Sequence, residues 1–91
     1  MENKVIITVV GKDTVGIIAG ICTYLADSGV NVLDITQTIV QGFFNMMMIV
    51  DITSSNRSFG ELQKDLEALG EKIGVQVKAQ KEAIFDEMHR I

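Results

Sequence analysis

The chain has 91 residues, 47% of them hydrophobic and 22% charged, with a net charge of −4. That composition fits one globular domain with one modest core and excludes a disordered chain. An acidic chain with no Arg before Arg57 is poorly suited to phosphate backbones, and no apolar run reaches the length of a membrane span. The start, Met1-Glu2-Asn3-Lys4, has no basic leader pattern, the single Cys22 cannot pair internally, and proline is absent. These features read as a cytoplasmic protein without a linker or a second domain.

Lys4 to Val10 is apolar in both alternation phases, with Val5, Ile7 and Val9 on one face and Ile6 and Val10 on the other. This pattern predicts a central strand. Gly11-Lys12-Asp13-Thr14-Val15-Gly16 then separates two apolar runs and reads as a strand-to-helix loop. Asp13 or Thr14 is the expected N-cap, and Gly16 leaves the first turn open to the approach of another group. The loop is either a simple turn and cap or a seat for an anion at a helix N-terminus. A helix is predicted from about Thr14 to Ser28, ended by Gly29, with Ile18, Ile21, Cys22 and Leu25 as its core stripe.

Val30 to Val40 is rich in β-branched residues and predicts a strand. Val30 and Val32 share one phase and Leu33, Ile35 and Ile39 the other, so a bulge is expected between Asn31 and Asp34. Asn31 is either a turn-former or a donor and acceptor for a small polar ligand. Gln41-Gly42 marks a hairpin, and Phe43 to Ile52 returns as a strand with Phe44, Met46, Met48, Val50 and Ile52 on one face. Ser58 and Glu61 form a capping-box pattern at the head of a helix running to Gly74, with Phe59, Leu62, Leu66, Leu69 and Ile73 along one side. Val75, Val77 and Ala79 alternate with polar residues as a half-exposed strand. Residues 82–91 place Ile84, Phe85, Met88 and Ile91 at helical spacing, a short amphipathic segment that docks on something.

Strand, helix, strand, strand, helix, strand is the order of a ferredoxin-like α+β fold, βαββαβ. It predicts a four-stranded antiparallel sheet of order 4-1-3-2, two helices on one face and a short C-terminal helix. The other face then carries Ile6, Thr8, Val10, Met47 and Ile49, an apolar patch that needs a cover. The expected cover is a second copy of the chain packed face to face, the C-terminal segment through Ile84, Phe85 and Met88, or both.

Catalytic groups are not apparent. His89 stands two residues from the end, Cys22 reads as a core filler, and no His, Cys or carboxylate cluster has metal-ligand spacing. No metal and no cofactor is expected, and the chain reads as a non-enzyme.

Asp13-x-x-Gly16-Ile17-x-Ala19, Leu25, Gly29-Val30-Asn31-Val32-x-Asp34-Ile35 and the Phe44-x-Met46-x-Met48-x-Val50-Asp51 strand together resemble the pattern of ACT domains. The resemblance covers almost the whole chain, roughly residues 4–81 of an ACT-like domain over 1–81, and leaves the C-terminal segment 82–91 outside it. It is nearest to the small stand-alone bacterial ACT proteins, a group with no assigned function, and to the ACT modules of glycine-cleavage-system transcriptional repressors. It implies a regulatory homodimer that binds an amino acid where two copies meet. By matching position it implies Asp13, Val15, Gly16 and Ile17 on the loop side of that site, and Asn31, Val32 and Asp34 on the strand side. A protein–protein interaction module without a ligand, acting on a separate partner, is the alternative. Neither reading involves nucleic acid or a membrane.

Overall fold

The computed structural model describes residues 3–12 and 16–81. The chain runs β1 (Lys4–Lys12), α1 (Ile17–Asp27), β2 (Asn31–Val40), β3 (Phe43–Asp51), α2 (Phe59–Ile73) and β4 (Val75–Lys81). The strands form one sheet in the order β2-β3-β1-β4, antiparallel throughout, which is the predicted order read from the opposite edge. The helix expected over residues 82–91 lies outside the described residues.

The core lies between the sheet and the helices. Val5, Ile7 and Val9 of β1 and Phe44, Met46, Met48 and Val50 of β3 meet Ile17, Ile21 and Leu25 of α1 and Leu62 and Leu66 of α2. Period-2 patterning on the central strands thus supplies one wall, and helical spacing supplies the other. The core stripe of α1 is turned from the expected one. Ile17 is buried, whereas Ile18 is 37% exposed and Cys22 only half-buried. The apolar surface of this helix is broad, and packing against α2 and the sheet decides which part of it faces inward.

The start of α1 also differs. The helix begins at Ile17, and its N-cap is Gly16 in the left-handed region, with no side-chain cap bond. The expected cappers Asp13 and Thr14 lie outside the described residues. A glycine reaches φ +92° without the Cβ clash that other residues meet there. The far end is a Schellman motif: Val30 N–H donates to Leu25 C=O at 2.9 Å and Gly29 N–H to Ala26 C=O at 3.1 Å. Val30 and Leu25 then join the same core cluster.

α2 carries the expected capping box. Ser58 N–H donates to Glu61 Oε1 at 3.0 Å, and Glu61 N–H to Ser58 Oγ at 3.2 Å. Between the helices, Tyr24 Oη donates to Asp65 Oδ2 at 2.6 Å. Desolvation, and then this hydrogen bond, push the Tyr24 hydroxyl above its ordinary pKa. Gln63 Nε2 donates to Ala79 C=O at 2.8 Å and ties α2 to β4.

Candidate functional site

The strand side of the candidate site forms at the start of β2. Here Asn31 pairs with Asp51 and Val32 with Val50, but the next ladder partner, Ile49, faces Asp34. Leu33 is therefore the extra residue of a bulge, the irregularity expected from the phase slip. The bulge keeps Val32 and Ile35 on the helix side of the sheet, opposite core residues Val50 and Met48. Asn31 and Asp34 turn to the open side instead, and both are exposed. A residue pushed out of the ladder has backbone donors and acceptors to offer at a sheet edge. Asp51, beside Asn31, accepts from Thr53 Oγ1 at 2.6 Å and Thr53 N–H at 2.9 Å. These bonds, the hydroxyl first, hold its carboxyl below the usual carboxylate range. The corner of Asn31, Asp34 and Asp51 thus gathers two carboxylates and an amide, with Lys4 opposite Asp51 on β1.

The loop side is at the other end of the sheet. Lys4 and Asn31 are level through Asp51, and Lys12 and Val40 are level through Phe43. The two levels are separated by roughly 26 Å of strand. Gly16 and the first turn of α1 follow Lys12 and belong to the second level. Among the described residues, a Cβ added to Gly16 would meet nothing within 4 Å. Ile17, by contrast, has its side chain in the core at 2% exposure, so only its backbone remains to serve a ligand. Asp13 and Val15 lie outside the described residues.

Within one chain, then, the structure does not bring the two sets together. Asn31, Val32 and Asp34 sit at one end of the sheet, and Gly16 and Ile17 at the other. A single chain thus presents two separate features of different character: a corner bearing carboxylates and a helix N-terminus with its positive partial charge.

The apolar surface is also distributed differently from the expected patch. Of the open-face residues, Val10 is 47% exposed and Met47 40%, but Ile6 is only 6% exposed and Ile49 is half-buried. Ile84, Phe85 and Met88 lie outside the described residues. A second apolar strip, missed from sequence, runs along β2, where Leu33 is 45% exposed, Ile35 41% and Ile39 57%. Ile35 and Ile39 pair with buried Met48 and Phe44, so they sit on the helix side, where the helix layer stops short of the edge strand. The predicted order 4-1-3-2 was the available signal, since it puts β2 at an edge. β2 bears one charged residue, Asp34, and no proline. Long edges with so little protection invite pairing.

Among the described residues, no group of three or more His, Cys, Asp or Glu side chains could hold a metal ion, and no helix is long and apolar enough to cross a membrane.

Comparison with known proteins agrees with this architecture. A model described as "ACT domain" matches residues 3–80. A UPF0237 protein of Bifidobacterium longum is 61% identical over 89 residues, covering 98% of this chain and 99% of that relative. The solved ACT domain protein from Streptococcus pneumoniae superposes with a TM-score of 0.82 at 40% identity, over 94% of this chain and 97% of that one. A putative glycine cleavage system transcriptional repressor superposes with a TM-score of 0.78 at 21% identity, over 89% of this chain and 46% of that one, a likeness of fold.

Proposed function

The chain belongs to the ACT domain family, and we propose that within it this protein is a non-enzymatic, cytoplasmic regulatory module that binds an amino acid between two copies of itself. The supporting observation is the separation of the half-sites. Two β2 edges paired antiparallel about a two-fold axis set the Asn31–Asp34 corner of one copy at the sheet end that carries the partner's loop and first helical turn. The acidic corner suits an ammonium group, and the helix N-terminus suits a carboxylate. Those are the two ends of an amino acid. This pairing keeps both helix layers on the same side and extends the apolar strip of Ile35 and Ile39 across the two-fold. The sequence leaves edge-to-edge and face-to-face pairing both open, with the open apolar face favouring the latter, and this is the edge-to-edge geometry. Because the site is completed by the partner, binding and association stabilise each other.

A thermal-shift screen against the twenty amino acids tests the ligand. An amino acid at about 100-fold excess over its Kd stabilises by about 2.7 kcal/mol, a rise on the order of 10 °C for a domain of this size. Asn31→Ala, at an exposed position, should remove the rise while leaving the unliganded melting temperature within about 2 °C. No rise with any amino acid would favour the second reading, a ligand-free protein–protein module. The exposed Val10, Val40 and Phe43 towards one end of the sheet, with Met47 at mid-strand, favour that alternative.

A further inference from the structure

Ile6 and Val10 occupy comparable places on the open face. Both are on the central strand β1, and both are flanked by β3 and β4: Ile6 by Ile49 and Gln80, Val10 by Asn45 and Gln76. Yet Ile6 is 6% exposed and Val10 is 47% exposed. Flanking side chains shield the sides of a residue on a sheet and leave its top to solvent. Burial as deep as that of Ile6 requires something above it. Ile6 is also absent from the core cluster beneath the helices. The same asymmetry appears on β3, where Ile49 is half-buried and Met47 is 40% exposed.

The buried end of the face is the end at which β4 delivers the chain. Gln80 stands beside Ile6 and Lys81 beside Val5, so residues 82–91 begin next to the covered position. They carry Ile84, Phe85, Met88 and Ile91 at a spacing that makes one apolar stripe on a helix. A helix of that length spans about 15 Å, and β4 and β3 are about 10 Å apart with β1 between them. The segment is long enough to cross Ile6 and reach Ile49, and too short to cover the far end as well. Its Glu82, Asp86 and Glu87 suit a face that presents Lys78 opposite Thr8.

We propose that residues 82–91 dock as an amphipathic segment across Ile6 and Ile49, on the sheet face opposite the two helices. The chain's own tail is then the cover of that half of the open face. A second copy is left the β2 edge, and Val10 and Met47 remain uncovered. This docking is independent of whether an amino acid binds.

Isotope-filtered NMR on an equal mixture of labelled and unlabelled full-length chains is the direct test. The Ile6 and Ile49 methyl groups should show NOEs to the Phe85 ring and the Met88 methyl within the same chain. NOEs found only between labelled and unlabelled chains would make a second copy the cover and overturn the proposal, as would none from either methyl to residues 82–91. A chemical test uses Ile6→Cys in a Cys22→Ala background. Its thiol should react about tenfold or more slowly with a disulfide reagent than the same thiol in a chain that also carries Phe85→Asp. Equal rates in two folded proteins would also overturn it. Val10→Cys, at the uncovered end, should react equally in both backgrounds.

Discussion

Two glycines frame α1 and are fixed for different reasons. Gly16 takes φ +92°, and a Cβ there would meet none of the described residues within 4 Å, so among them its constraint is conformational. Gly29 takes φ +75°, and a Cβ there would come within 2.9 Å of the Ser54 carbonyl oxygen. Gly16→Ala should therefore cost about 1–2 kcal/mol, the usual penalty of a left-handed L-residue. Gly29→Ala should cost that and more, because the Ser54 backbone must also move. Urea unfolding of the two variants, with equal m values, checks the order. Gly29 was legible as a helix stop because a glycine after an apolar helical run has one common use. The helix start was not. Asp13 and Thr14 have the side chains that cap helices, and no local rule favours a left-handed Gly16 over them. The choice between Ile17 and Ile18 as the core residue was equally hidden, since both are isoleucines beside Ile21 and Leu25. Only the helix's rotation against its neighbours separates a buried side chain from one 37% exposed.

At the scale of the element, α2 is specified mostly by itself. Ser58 and Glu61 close its first turn, Leu62 and Leu66 fill the core, and Gly74 N–H returns to Gly70 C=O at 2.8 Å. Ser58→Ala should destabilise the protein by about 1 kcal/mol in urea unfolding. The bond from Ser58 N–H, and then the Ser58 side chain, hold the Glu61 carboxyl below its ordinary pKa. A depressed folded-state pKa means that its contribution is present above the unfolded pKa and is lost as pH falls through the folded value. Glu61→Gln keeps the reciprocal acceptor but cannot titrate. Its melting temperature should therefore fall less than that of the natural protein between about pH 6 and about pH 3, as followed by circular dichroism. The β2 bulge was also readable in sequence, because a strand whose apolar alternation changes phase has to absorb one extra residue. Its consequence was not. Leu33, Ile35 and Ile39 share one apolar phase in sequence, which does not say whether they are covered, and the finite width of a two-helix layer leaves them at the surface.

At the scale of the whole molecule, the described residues present two apolar surfaces, and they make opposite predictions for its assembly. The β2 edge offers unpaired backbone and a strip of Leu33, Ile35 and Ile39; the open face offers Val10 and Met47. An isologous interface repeats every substitution across its two-fold axis, so one charge near the axis becomes a like-charge pair. Ile35 lies in mid-strand on β2 and is 41% exposed, and Met47 is 40% exposed on the open face. Lysine at either position should leave the monomer folded, with an unchanged far-ultraviolet circular dichroism spectrum. If the edges pair, Ile35→Lys should raise the dimer dissociation constant about tenfold or more in sedimentation velocity, and Met47→Lys should leave it nearly unchanged. A face-to-face dimer would give the reverse. The edge geometry makes a further demand, because only it brings the Asn31–Asp34 corner to the partner's first helical turn. Ile35→Lys should thus lose the amino-acid thermal shift together with the dimer, although it replaces none of the residues assigned to the site. A variant that became monomeric and kept the full shift would place the ligand within one chain and refute a site shared by two copies.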